Sequence, residues 1–171
     1  MSPTYLLKVV AVGPPAVGKT SIILRYTTGS FREHYIPTLG VDFAIKKLEL
    51  DHHTVRLQVW DMGSQDFLGS VRSGFYPGAR GAVFMYDVSR RESFEAIQRW
   101  KAEVDAHLTK YIGILVANKI DLISEREVSI EEGEKLAKQL DMNYIETSVK
   151  LNQNVNEAFR IISQEIIEFI E

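Results

Sequence analysis

The 171 residues contain no cysteine. That absence excludes disulfides, thiolate metal centres and a lipid thioether on the chain as given. Also missing is any apolar run approaching the roughly 20 residues that a membrane-spanning helix needs. No secretory leader opens the chain, so a cytoplasmic protein is expected. Neither sign of charge dominates: 20 Lys and Arg stand against 23 Asp and Glu, and they are scattered. A net charge of −3 offers no electrostatic footprint for nucleic acid or for a polybasic membrane contact. Prolines number only five, two of them adjacent at Pro14-Pro15, and no repeat, linker or low-complexity tract appears. What remains is 45% hydrophobic, a composition and length that fit one globular domain over residues 1–171.

The most informative segment is Gly13-Pro14-Pro15-Ala16-Val17-Gly18-Lys19-Thr20. An apolar, β-branched stretch, Leu6 to Val12, precedes it, and Ser21-Ile22-Ile23-Leu24 follows with apolar residues at helical spacing. Strand, glycine loop and helix in this order read as a phosphate-binding loop. A triphosphate needs several backbone N–H groups converging on it, and glycines at both ends let the loop curl closely enough to supply them. The cradle is expected to use Gly13, Ala16, Val17, Gly18, Lys19, Thr20 and Ser21. Lys19 brings a cation to the terminal phosphates, and the Thr20 hydroxyl suits the accompanying magnesium ion. Proline has no N–H, but the second half of the loop keeps all of its donors, so the prolines stiffen the loop without emptying it.

Strand-like segments recur at Leu6–Val12, Val41–Leu50, Val55–Trp60, Ala82–Tyr86, Ile112–Ala117 and Asn143–Ile145, with amphipathic helical patterns between most of them. Phe94, Ile97, Trp100, Val104 and Leu108 form one helical stripe; Val155, Phe159, Ile162, Ile166 and Phe169 form another. Asp51 to Thr54 is too short for a crossover helix, so the segments beside it must form an antiparallel hairpin. His52 and His53 are expected in its solvated turn, not as a metal pair. The expected fold is α/β: a doubly wound, mostly parallel six-stranded sheet with one antiparallel edge strand and helices on both faces. Ligands of such folds sit beyond the carboxyl ends of the strands.

Two further segments reach that edge. Trp60-Asp61 closes a strand and delivers a carboxylate that can hold magnesium. Ile112 to Ala117 delivers Asn118-Lys119-Ile120-Asp121. A carboxylate at Asp121 accepts two hydrogen bonds and so suits the N1–H and 2-amino donors of guanine, which adenine lacks. Asn118 can bridge the base and the loops. Thr147-Ser148-Val149-Lys150 follows the last strand and can complete the base pocket with backbone N–H groups and the stem of Lys150.

With these motifs in this order the chain resembles the Ras superfamily of small GTPases, from Tyr5 to Ile170, and most closely its Rab branch. Gly40-Val41-Asp42-Phe43, Phe75-Tyr76-Pro77-Gly78-Ala79 and Tyr86-Asp87-Val88-Ser89 with Glu92-Ser93-Phe94 carry the Rab likeness. The resemblance implies that GTP or GDP is bound with magnesium and that GTP is slowly hydrolysed, in vesicle or membrane traffic. It places Phe31 against guanine, Tyr35 over the phosphates, Thr38 on magnesium and the γ-phosphate, and Gln65 at the attacking water, with Lys19 and Thr38 as its catalytic companions. Phe43, Trp60 and Phe75 match the aromatic cluster read by effectors. The implied partners are an exchange factor, a GTPase-activating protein and effectors, with the chain itself a monomer reaching membranes only through a tail or a partner.

Some positions depart from the family pattern. Asp61-Met62-Gly63-Ser64-Gln65 carries Ser64 where members commonly have the glycine whose N–H senses the γ-phosphate. Weaker or differently timed switching of this loop is expected, with nucleotide binding kept. Pro15 stands where an incoming arginine would enter. Arg72 and Arg80 read as surface charges. These departures leave open a hydrolysis-deficient relative that holds nucleotide as an interaction scaffold.

Overall fold

The computed structural model describes residues 3–31 and 40–171, so Tyr35 and Thr38 lie outside the described residues. Strand β1 (Thr4–Val12) leads into α1 (Lys19–Thr28). Then β2 (Val41–Leu50) and β3 (His53–Met62) form the antiparallel hairpin, joined by Asp51 and His52. The turn is tighter than the sequence suggests. Asp51 takes a left-handed φ of 44°, which lets Leu50 pair with His53. His53 is therefore a strand residue, its ring edge-on to Tyr5 at 5.3 Å, and only His52 stays in the turn.

After the short helix α2 (Gly69–Ser73) come β4 (Gly81–Asp87), α3 (Arg91–Glu95), α4 (Ile97–His107), β5 (Ile112–Asn118), α5 (Ile130–Gln139), β6 (Asn143–Glu146) and α6 (Val155–Ile170). The stripe from Phe94 to Leu108 thus spans two helices jointed at Ala96, and Leu108 lies just past the second. Strand order is β2-β3-β1-β4-β5-β6, parallel except for β2 at the edge, as expected for the doubly wound class.

Alternation along β1 explains the layers, because successive side chains leave opposite faces of a strand. Leu7, Val9 and Ala11 join a core with α1 and α6, in which the Tyr26 and Phe159 rings stack at 4.2 Å. Val10 and Val12 join a second core with Tyr76, Trp100, Val104 and Leu136 on the opposite face. Central strands buried on both sides have no polar face to spare, which is why β4 and β5 read as continuous apolar runs. Among the described residues no helix is long and apolar enough to cross a membrane.

Candidate functional site

The carboxyl ends of β1, β3, β4 and β5 bring the sequence motifs to one edge. The loop between β1 and α1 bends through positive φ at Gly13 (149°), Ala16 (63°) and Gly18 (111°). Glycine is required at both ends: an added Cβ would lie 2.3 Å from the Met85 carbonyl oxygen at Gly13, and 2.4 Å from the Asn118 amide nitrogen at Gly18. No acidic residue occupies the first turn of α1 and no side chain caps it, so its N-terminal N–H groups suit an anion.

Cationic side chains hold the carbonyls of this loop. Lys19 Nζ, almost fully buried, donates to the Gly13 and Pro14 carbonyls, both at 2.9 Å. Burial lowers its pKa to about 8; the carboxylate of Asp61 works against that shift, and Arg72 and Arg90 add to it. Arg90 Nη2 donates to the Pro15 carbonyl at 2.7 Å, and Lys119 Nζ donates to the Ala16 carbonyl at 2.9 Å. Both cations also meet Asp87, a carboxylate 2% exposed, at 3.3 and 3.0 Å. Burial alone would raise the pKa of Asp87, but bonds from Ser89 and Lys119 outweigh it and hold the group below its ordinary value. Sequence reading assigned neither Asp87 nor Arg90 a role at the site, since the Pro15 carbonyl that Arg90 holds and the Lys119 that Asp87 pairs with lie far along the chain.

Two adjoining cavities form here. One is lined by Ala16, Gly18, Lys19, Thr20, Ser21, Gly63 and Ser64. The other, about 310 Å³, is lined by Phe31, Asn118, Lys119, Asp121, Leu122, Val149 and Lys150, together with Ala16, Gly18 and Ser21. The three shared residues make the two cavities halves of one site. A larger open groove of about 540 Å³, bordered by Tyr111, Glu134, Met142 and Glu165, contains none of the motif residues.

Beside the first cavity the Thr20 hydroxyl donates to Asp61, which is 4% exposed. No cluster of three or more His, Asp or Glu ligands occurs among the described residues. A hydroxyl and one carboxylate supply only hard oxygen donors, which fits magnesium held mainly by phosphate oxygens and water. Ser64 lines this cavity, whereas Gln65 does not. The Gln65 Oε1 is buried without a partner among the described residues.

At the second cavity Asn118 joins the two loops. Its Nδ2 donates to the Val17 carbonyl at 2.9 Å, and its Oδ1 accepts from Thr147 Oγ1 at 3.0 Å and Val149 N–H at 3.2 Å. Ser148 Oγ donates to Asp121 at 2.8 Å and fixes that carboxylate. The N–H groups of Thr147 and Ser148 bond the Ala117 and Gln153 carbonyls. The Val149 N–H bonds the Asn118 amide oxygen, and Val149 and Lys150 line the cavity. Arg25 of α1 staples the loop: Nε donates to the Val149 carbonyl at 3.1 Å and Nη2 to the Lys150 carbonyl at 2.9 Å. Its guanidinium also lies 5.4 Å from the Phe31 ring centre.

Arg72 contradicts the sequence expectation. Arg80 is exposed, but Arg72 is only 4% exposed, paired with Glu103 and bonded to the backbone on either side of Ser64. An isolated arginine in Gly69-Ser70-Val71-Arg72 gives no local sign of a partner 31 positions away. On the neighbouring surface Phe43 stacks on Trp60 at 4.6 Å, and Trp60 meets Phe75 at 5.5 Å. Phe43 is half exposed, and Phe67 and Val71 add exposed apolar surface that sequence reading did not include.

A model of the Ras family matches residues 8–168. The chain is 37% identical to "GTP-binding protein ypt2" of Schizosaccharomyces pombe over 163 residues, covering 95% of this chain and 82% of that protein. It is 39% identical to "Ras-related protein Rab-1" of Theileria parva over 162 residues, 94% of this chain and 74% of that one. "Ras-related protein RIC1" of rice, Oryza sativa subsp. japonica, is 39% identical over 163 residues, 95% of this chain and 81% of the other.

Proposed function

This chain belongs to the Ras family, and on that premise we propose that it is a Rab-like GTP/GDP switch whose single G domain hydrolyses GTP to GDP and phosphate in vesicle or membrane traffic. One observation carries the reading. The phosphate and base cavities share Ala16, Gly18 and Ser21, so a ligand with a polyphosphate at one end and a purine at the other spans both.

At the base end, Asp121 held by Ser148 faces N1–H and the 2-amino group, and Phe31 covers the ring. At the phosphate end, Lys19 turns from the Gly13 and Pro14 carbonyls to the terminal phosphates, while loop N–H groups stabilise the charge that builds on the transferring group. Water attacks the γ-phosphorus in line, oriented by Gln65, and the β-phosphate oxygen leaves with GDP. Gln65 must turn its buried Oε1 toward that water. Thr20, Asp61 and Thr38 would hold magnesium, which when bound neutralises charge on the β- and γ-oxygens. Phe43, Trp60 and Phe75 form the surface for effectors, and an exchange factor and an activating protein act on the adjoining loops. An activating partner that brings an arginine passes Pro15, which is exposed at the mouth of the loop.

Phosphate release from GTP with and without magnesium tests the reading. The parent is expected to turn over slowly with magnesium, and Gln65→Leu to be slower by about tenfold or more in a single turnover. Equal rates for the two would remove Gln65 from its role. A parent that binds GTP tightly yet never releases phosphate would replace the switch with a scaffold.

A further inference from the structure

The Arg72 side chain, 5% exposed, is surrounded by acceptors. Nη1 donates to the Gly63 carbonyl at 2.7 Å and the Gln65 carbonyl at 2.8 Å. Nε and Nη2 donate to the Glu103 carboxylate at 3.0 and 2.7 Å. The guanidinium lies 4.8 Å from the centre of the Trp100 ring. Glu103 also accepts from the Tyr76 hydroxyl, and the Tyr76 ring stacks on His107 at 4.9 Å. Glu103, Trp100 and His107 all belong to α4, so a packed helix fixes where the fork points. Only a planar fork with several donors can hold a carboxylate and two carbonyls at once.

The Gly63 carbonyl and the Ser64 N–H belong to one peptide unit. A trans peptide is planar and sends its C=O and N–H in opposite directions. Pinning the carbonyl inward on Arg72 therefore aims the Ser64 N–H away from α4. Gly63 and Ser64 both line the phosphate cavity, the side that remains. The backbone is fixed on either flank as well, with Gly63 N–H on the Gly40 carbonyl at 2.8 Å and the Gln65 carbonyl on Arg72. Ser64 is not among the residues with positive φ, so its side chain strains nothing.

We propose that Arg72 is a positioning residue that sets the Gly63–Ser64 peptide so that the Ser64 N–H meets the terminal phosphate of a nucleoside triphosphate. The inference rests on the guanine-nucleotide reading above. It also accounts for Ser64: where a glycine would turn its peptide toward the phosphate on demand, this chain holds the peptide in place, and the freedom of glycine is not needed. A diphosphate has no group at that N–H. Arg72 thereby acts on the difference between the two nucleotides and not on their common affinity.

Dissociation rates of fluorescent GDP and of a fluorescent non-hydrolysable GTP analogue, both with magnesium, test the proposal. Arg72→Met with Glu103→Gln removes the ion pair without leaving either charge buried alone, and Tyr76 keeps an acceptor. That double variant is expected to release the analogue about tenfold faster than the parent, the loss of one charge-assisted contact, with GDP release within about twofold. Arg72→Lys, which keeps the charge and loses the fork, is expected to shift the same ratio in the same direction by a smaller factor. Equal acceleration of both nucleotides, or no change in either, overturns the proposal and leaves Arg72 a packing residue. A parent that holds neither nucleotide overturns the functional reading itself.

Discussion

Replacing Asn118 with alanine removes the side chain that ties the phosphate loop to the base loop. Asn118 is 2% exposed, and its amide serves the Val17 carbonyl, the Thr147 hydroxyl and the Val149 N–H. Thr147 is fully buried and Val149 nearly so, so neither finds bulk water as a substitute. A buried polar group left unpaired costs about 1–3 kcal/mol. Three such groups, with some relaxation allowed, give about 3–6 kcal/mol, a large share of the roughly 5–15 kcal/mol that holds a domain together. For a chain of this size that is a fall of roughly 10–20 °C in Tm. Urea unfolding of nucleotide-free protein, followed by circular dichroism, measures it: the midpoint drops while the slope stays constant. Excess GDP with magnesium stabilises the parent by mass action and the variant by much less. A nucleotide-free variant within about 0.5 kcal/mol of the parent would refute the reasoning, since surface substitutions already fall in that range.

Asp121→Asn exchanges an acceptor for a donor opposite the guanine 2-amino group, so GDP binding should be lost, while a xanthine nucleotide, which carries an oxygen there, should bind instead; competition of fluorescent GDP by each nucleotide reads the exchange. Glu132, in the first turn of α5, is held at a pKa of about 2, first by its bond from Arg91 and then by the Ser129 backbone. A depressed carboxylate pKa stabilises the fold above the unfolded value near 4.5, and that contribution is lost as pH falls toward 2. The difference in urea midpoint between parent and Glu132→Gln should therefore be steady from pH 6 to about 5 and close by about pH 2, and a difference unchanged at pH 2 would count against this.

The parts of the site legible in sequence are those whose chemistry lies in contiguous backbone. Gly13 to Thr20 announces itself because curling around phosphate needs glycines at fixed spacing between a strand and a helix. Asn118 and Asp121 are legible because the buried strand before them can end in only one place. Chain brevity alone revealed the hairpin of β2 and β3, although its turn proved tighter, since the left-handed Asp51 has no strong local signature. Arg72 was misread for a physical reason: a lone arginine beside serines belongs on a surface unless a distant carboxylate repays its desolvation, and Glu103 is invisible from position 72. The same distance hid the hold of Asp87, Arg90 and Lys119 on the phosphate loop.

Arg25 has a kinetic consequence. By gripping the Val149 and Lys150 carbonyls, it ties α1 to the loop that lines the proposed base cavity. A catalyst of nucleotide exchange working from the base side would have to break both bonds to move the loop. On the switch reading proposed above, its purchase would be at the phosphate end, on Lys19 and the Gly63–Ser64 peptide. Loosening Arg25 should raise spontaneous release of GDP and GTP alike, which makes the staple a common brake and leaves discrimination between them to the opposite end of the site.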